Sequence, residues 1–223
     1  MVEAKKIKKS YSDKIVLDIP SLKIKESQIV SISGPSGAGK TTLLSILGTL
    51  MKADNNKETS LKIMNEDVTK MSPNYLAKFR NLNLGFIFQF HELLDEFNVI
   101  ENIIIPGLIA NKEKDLLLKK ATEILKILNI VDLKFNNPKN ISGGEKQRVA
   151  VARSLINSPS IIFADEPSGN LDAKNADELH KLFFKLRDEF GQTFVIVTHN
   201  EKLSKISDKI LKLVDGKIQT KGN

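Results

Sequence analysis

The sequence predicts an α/β fold with a mainly parallel sheet and an inserted helical subdomain. Three observations predict it. Short β-branched or apolar runs alternate with segments of helical periodicity, the pattern of strands joined by crossover helices. A glycine-rich turn at residues 34–39 joins one such run to a helix. Between about residues 90 and 158 the pattern becomes wholly helical. The 223 residues then make one domain, with a core from 1–89 and 159–223 and a helical subdomain at 90–158.

Each element has its own signal. Ile15 to Ile19 alternates and is β-branched, and Gln28 to Ser33 is a short apolar strand before the glycine turn. Lys40 to Leu50 has an apolar helical face. Leu61 to Met64 and Leu84 to Phe88 read as strands. Asn98 to Ala110 and Lys114 to Ile130 read as helices, the second through Leu117, Ala121, Ile124, Leu125 and Leu128. Ser160 to Ala164 is a strand, Ala173 to Glu189 a helix, and Thr193 to Thr198 a strand again. Ile210 to Val214 and Lys217 to Gln219 pair as a hairpin around Asp215-Gly216. The chain stops soon afterwards, so no further regulatory domain is expected.

Composition removes several function classes. There is no cysteine, hence no disulfide scaffold, thiolate metal site or cysteine nucleophile. The apolar run Ile103-Ile104-Ile105 is broken at Pro106, and nothing approaches the roughly 18 to 20 apolar residues of a membrane span. The basic N-terminus is followed by no apolar stretch, so no signal peptide is read. The net charge is +7, but only Arg80, Arg148, Arg153 and Arg187 are arginines. Lysines interspersed with acids describe a solvated surface better than a nucleic-acid groove.

Gly34-Pro35-Ser36-Gly37-Ala38-Gly39-Lys40-Thr41 fits the phosphate-loop pattern without a mismatch, with a strand before it and a helix after it. Glycines let successive N–H groups point inward as an anion nest. The helix start adds its positive dipole end. Lys40 is placed to reach the β- and γ-phosphates and Thr41 to hold magnesium. Thr42 extends the set of nucleotide contacts. The core is therefore expected to be that of a P-loop NTPase. The strand Ile161 to Ala164 ends in Asp165 and Glu166. Asp165 is assigned to magnesium, and Glu166 to the water that attacks the γ-phosphate.

Ser142-Gly143-Gly144-Glu145 opens a helix containing Val149, Ala152 and Ile156. Its S-x-x-E spacing is that of a capping box. Yet consecutive glycines cost backbone entropy. They also let an anion approach the bare helix end, so this is read as a second phosphate-binding terminus. His199 follows the strand 194–198 and sits where parallel sheets place ligands. His91 and His180 lack that placement, and His180 is expected on a helix surface.

Taken in order, the phosphate loop, Ile141-Ser-Gly-Gly-Glu145, Asp165-Glu166, Ser168-Gly-Asn-Leu-Asp172 and His199 resemble the nucleotide-binding subunit of an ABC transporter. The resemblance spans essentially the whole chain and implies an antiparallel β subdomain beside the P-loop NTPase core. It implies ATP and Mg2+ as cofactors, hydrolysis of ATP, and a head-to-tail homodimer when ATP is bound. In that dimer the Ser142 segment of one subunit meets the phosphate loop of the other. It implies that Gln89 stands near magnesium and the attacking water, that Asp172 crosses the interface, and that His199 contacts the γ-phosphate. Tyr11, the only aromatic residue before Gly34, corresponds to an adenine-stacking position. The resemblance further implies integral membrane permease subunits as partners and a peripheral place on the cytoplasmic face of the inner (plasma) membrane.

Gly85-Phe-Ile-Phe-Gln89-Phe-His-Glu-Leu-Leu94 and the Ser168 variant resemble the branch of lipoprotein-releasing ATPases, MacB-type exporters and FtsE-type division ATPases. The lipoprotein-releasing type is the nearest. Asn55 to Ser60 departs from the family's usual Ser-Gly-Glu there. Part of the apolar set Phe90, Leu93, Leu94 and Phe97 is expected to line a groove for a short cytoplasmic helix of the membrane partner. A nucleic-acid maintenance ATPase is the reading from another class. The short spacing from Lys40 to Ser142 leaves no room for its long coiled coil, and no nucleic-acid partner is expected.

Overall fold

The computed structural model describes residues 1–12, 14–54 and 58–219. Its parallel strands are apolar on both faces, which forces cover on both sides. Strand β1 (Val2–Tyr11) and β2 (Lys14–Ile24) run antiparallel, and β3 (Ile29–Ser33) leads into helix α1 (Lys40–Leu47). Next come β4 (Ser60–Ile63), β5 (Glu66–Asp67), α2 (Pro73–Asn83) and β6 (Leu84–Ile87). Helices α3 (Val99–Ile109), α4 (Lys114–Ile127) and α5 (Gly143–Leu155) follow. The chain continues through β7 (Ile161–Asp165), α6 (Ala173–Phe190), β8 (Thr193–Val197) and α7 (Glu201–Ile206) to β9 (Lys209–Val214) and β10 (Lys217–Gln219).

Two sheets result. The antiparallel one has the order β2-β1-β4-β5, and the larger one has the order β10-β9-β3-β8-β7-β6. In the larger sheet β9, β3, β8, β7 and β6 are parallel, and β10 returns antiparallel on β9. Alternate side chains of this sheet enter different cores. Ile29, Ile162, Phe194 and Ile196 join α3 to α6 on one face. Val30, Ile32, Ile161, Phe163, Val195 and Val197 join α1 and the antiparallel sheet on the other. The register Ile32↔Val197 and Asp165↔Val197 brings the carboxyl ends of β3, β8 and β7 level.

Helices α3, α4 and α5 pack on one another. Gly107 makes this possible, because a Cβ there would stand 2.3 Å from Leu117 Cδ2. Helix α3 runs through Pro106 instead of stopping at it. The elements outside the sequence signals include β1, hidden in a lysine-rich N-terminus, and α2, whose sequence is mostly polar. Their reasons are physical. β1 is covered on one face only, at Val2, Ala4 and Ile7, and α2 buries only Phe79. The atypical stretch at Asn55 lies partly outside the described residues.

Candidate nucleotide site

The phosphate loop leaves β3 at Ser33 and enters α1 at Lys40. Gly34 has φ +152°, and a Cβ there would lie 2.0 Å from the Leu213 carbonyl oxygen on β9. Gly39 has φ +94°, and its Cβ would stand 2.9 Å from Leu17 Cδ2 and from the Val16 carbonyl oxygen. Both positions demand glycine. Helix α1 has no side-chain cap and no acid in its first turn, so its N–H groups are left for an anion. Lys40 is buried, and its Nζ donates to the carbonyls of Gly34 (3.0 Å) and Pro35 (2.9 Å). The ammonium thus lies inside the loop it serves.

Thr41, the next residue of α1, donates from Oγ1 to Asp165 Oδ1 at 3.4 Å. Burial pushes the Asp165 carboxyl upward; the Thr41 bond and the Lys40 charge pull the other way. A hydroxyl and one carboxylate are hard oxygen donors of the kind magnesium takes alongside substrate phosphates, so the pair fits that ion.

Glu166 sits just beyond β7 in a left-handed conformation, φ +44°. Its N–H donates to Val197 O at 2.9 Å, and the backbone N–H of His199 donates to its Oε2 at 3.2 Å. Glu166 Oε1 is buried without a hydrogen bond, 3.3 Å from His199 Nε2. Burial raises the carboxyl's pKa, with Asp165 adding to the rise. The bond and charge of His199, together with Lys40, oppose it. A buried acceptor lacking a donor, beside an exposed imidazole, is what a water-activating carboxylate needs.

The structure also places the other expected residues. Gln89 Nε2 donates to Asn170 Oδ1 at 3.2 Å, and Asn170 Nδ2 donates to Gln89 O at 3.1 Å. The glutamine is therefore tied to the turn that follows Glu166. Asp172 caps α6, accepting from Asn175 N–H at 2.9 Å and from Asn175 Nδ2 at 2.6 Å, which holds its carboxyl below the usual range. Tyr11 ends β1 exposed, its hydroxyl 3.3 Å from Met51 Sδ and the Lys9 ammonium 5.6 Å from its ring.

Ser142 caps α5 in a complete capping box. Its N–H and its hydroxyl both donate to Glu145 Oε2 at 2.7 Å, while Glu145 N–H donates back to Ser142 Oγ at 3.3 Å. Those bonds hold Glu145 below the usual carboxylate range. A Cβ on Gly143 would meet nothing within 4 Å. Nothing inside the described chain requires that glycine.

Two histidines carry more structure than the sequence suggested. His180 was expected on a helix surface. It is instead buried, with Nε2 3.1 Å from Ser168 Oγ. The signal was available: Ala176, Leu179, His180 and Phe183 share one face of α6 at helical spacing, and all are buried. His91 and Glu92 both have positive φ, 64° and 51°. The Arg153 guanidinium, from the last turn of α5, donates to both of their carbonyls. The His91 ring lies against the backbone of Gly143, and burial lowers its pKa, with Lys146 nearby acting in the same sense. This ties the segment after Gln89 to the start and end of α5.

A family model described as ABC transporter matches residues 17–169. The chain belongs to the ABC transporter family. Within the family it is 50% identical, over 98% of its length and 99% of the relative's, to the lipoprotein-releasing system ATP-binding protein LolD of Bacteroides thetaiotaomicron. It is 51% identical to LolD of Porphyromonas gingivalis, covering 97% of each chain. Among solved structures it resembles the ATP-binding cassette MJ0796, a dimer bound to ADP and Pi in a post-hydrolysis state. There the TM-score is 0.88 at 35% identity, covering 99% of this chain and 97% of that one. It also resembles cbiO1 of Clostridium perfringens, with TM-score 0.87 at 26% identity, covering 100% and 88%. As an ABC cassette, the chain is an ATP-binding and ATP-hydrolysing subunit.

Proposed function

We propose that this cassette powers a lipoprotein-releasing complex, and the observation that carries the proposal is its end-to-end identity of about half with LolD proteins. It works as a homodimer on the cytoplasmic face of the inner membrane, driving integral membrane permease subunits. Among the described residues no helix is long and apolar enough to cross a membrane, so on this reading the cargo is handled by the partner.

The residues divide the work. Gly34, Pro35, Ser36, Gly37, Ala38, Gly39, Lys40, Thr41 and Thr42 hold the phosphates, and Tyr11 takes the adenine. Magnesium, held by Thr41 and Asp165 with Gln89 nearby, would neutralise charge on the β- and γ-phosphates. Glu166 accepts a proton from the attacking water through Oε1. His199, whose N–H orients that carboxylate, faces the γ-phosphate. Ser142, Gly143, Gly144 and Glu145 of one subunit complete the site of the other, with Asp172 at the interface. The free space at Gly143 supports this reading, since an external phosphate is the tenant a bare glycine there would admit.

A groove of about 460 Å³ is lined by Leu50, Arg80, Phe86, Phe88, Ile109 and Arg153, among others. We assign it to a cytoplasmic helix of the permease. Its lining differs from the residues the sequence suggested. Leu93 packs on the core, while Phe90, Leu94 and Phe97 are exposed.

The test is co-purification from membranes with the ATP-trapped cassette. Permease subunits carrying lipoprotein support the proposal. A division complex or a drug-exporter complex replaces it with the FtsE-type or MacB-type reading. Steeply salt-dependent binding to duplex DNA would instead favour a nucleic-acid ATPase.

A further inference from the structure

His180 is a buried titratable side chain that neither binds phosphate nor accepts a proton in the scheme above. Only 4% of it is exposed, and Ser168, its partner, is 8% exposed. An imidazole loses hydration when buried, so a leucine or phenylalanine would fill the same face of α6 with no such penalty. The hydrogen bond to Ser168 Oγ at 3.1 Å is what offsets that loss. Burial keeps the ring's pKa below its usual value, opposed by Asp177 on the same helix and assisted by Lys202 on α7. A neutral ring has one N–H and one lone pair, and the hydroxyl rotates to complement whichever is presented.

Ser168 belongs to the seven-residue turn from Glu166 to Asp172. That turn begins at the strained backbone of Glu166 and closes with Gly169 N–H donating to Glu166 O at 3.0 Å. Leu171 N–H donates to Ser168 O at 3.2 Å, so Ser168 lies in the middle of the turn's own ladder. Asn170, two residues on, holds Gln89, and Asp172 caps α6. Gly169 and Asn170 are exposed, whereas Pro167 and Ser168 are buried. The Ser168 hydroxyl is thus the point where a side chain of α6 takes hold of the turn. A shift there moves the base at one end and the glutamine bridge at the other.

We propose that His180 is a positioning residue for ATP hydrolysis, holding Ser168 so that the 166–172 turn presents Glu166 and the Gln89–Asn170 bridge in register. This rests on Glu166 being the base. The full-length chain is assayed as wild type, Ser168→Ala, His180→Phe, His180→Gln and the double variant Ser168→Ala/His180→Phe. For each, kcat, KM for ATP and melting temperature are measured. A misplaced base lowers the chemical step far more than binding, so Ser168→Ala and His180→Phe each lower kcat about tenfold with KM within about twofold. The double variant is no slower than either single one, since both cut the same bond. His180→Gln can place its amide where Nε2 stands, and it restores kcat to within about twofold of wild type.

Wild-type kcat in Ser168→Ala overturns the proposal. So does a His180→Gln variant as slow as His180→Phe, or a loss that appears in KM alone. If His180→Phe does not fold, Ser168→Ala and His180→Gln, which barely change volume, still decide the matter. Glu166→Gln is run in parallel: wild-type turnover there rejects the base assignment itself, a failure distinct from that of His180.

Discussion

The start of α1 and the start of α5 are both helix ends flanked by glycines, and the chain treats them in opposite ways. At α1, Gly34 and Gly39 are forced by positive φ and by backbone that approaches to 2.0 and 2.9 Å of their absent side chains. No side chain caps the helix, and Lys40 is folded into the loop. At α5, Ser142 and Glu145 cap the helix fully, and a Cβ on Gly143 would meet nothing within 4 Å in the described chain. The first end has the form of an anion nest, with the helix N–H groups left uncapped. The second is stable alone and leaves a bare backbone facing outward. Under the proposed function a site completed from a second subunit would account for both: the nest would hold the phosphates, and the self-capped end would close over them.

The strongest way to break this comparison leaves both helix ends intact and removes the chemistry. Glu166→Gln should lower turnover by about 10³-fold while ATP still binds. With hydrolysis stopped, ATP and magnesium should trap a dimer on gel filtration. A monomer that binds ATP but never dimerises would remove the outward-facing role of α5.

Complementation tests the same point next. Lys40→Ala lacks the nest and Ser142→Arg lacks the closing end, so each alone should be inactive. Mixed, they form one composite site with both motifs whole and one with neither. Activity should return toward half of wild type when mixed dimers form. No recovery in demonstrated mixed dimers would mean that the two ends do not meet across an interface.

Glycine substitution separates the two ends directly. Gly34→Ala should destabilise the fold by about 2 kcal/mol or more, through strain at φ +152° and collision with Leu213 O. Gly143→Ala should leave the melting temperature within about 2 °C of wild type, because its Cβ has free space. It should nonetheless cost turnover about tenfold, by crowding the bound phosphate. If Gly143→Ala is as active as wild type, no anion comes close to that backbone.

The two ends also differ in how legible they were. The phosphate loop is local in sequence, and its spacing alone predicted the strand, the turn and the helix. The place of Asp165 and Glu166 at the end of a strand was readable from the apolar run Ile161 to Ala164 before them. The roles that depend on tertiary neighbours were not readable. Asn102 is fully buried because it fastens the Leu94, Phe97 and Asn98 backbone, a demand set by a loop bending back on α3. Arg153 had no sequence signal for its grip on His91 and Glu92. His180 was misplaced because its polarity outweighed the helical spacing that put it among Ala176, Leu179 and Phe183. Helix α2 was missed although Ser72 accepts from Tyr75 N–H and Pro73 stands at its first position, the usual marks of a helix start.

The smallest expected effect concerns acid. Glu145 is held below its usual pKa by the Ser142 hydroxyl and N–H. A carboxylate whose pKa falls on folding contributes stability that is complete above the unfolded value, about 4.3. That contribution is lost as pH falls through the lower folded value. Glu145→Gln keeps the shape of the capping box but not its charge. At pH 7 the variant should therefore be less stable by about 0.5 kcal/mol, the worth of a negative charge at a helix start. The gap should close as the pH is lowered through and below 4, when wild type also becomes neutral there. Helix α1 has no acid in its first turn, so it contributes nothing to this pH dependence. Paired melting curves of wild type and Glu145→Gln from pH 7 down to 3 measure it. A gap that stays constant down to pH 3 would mean that Glu145 supports the α5 start by something other than its charge.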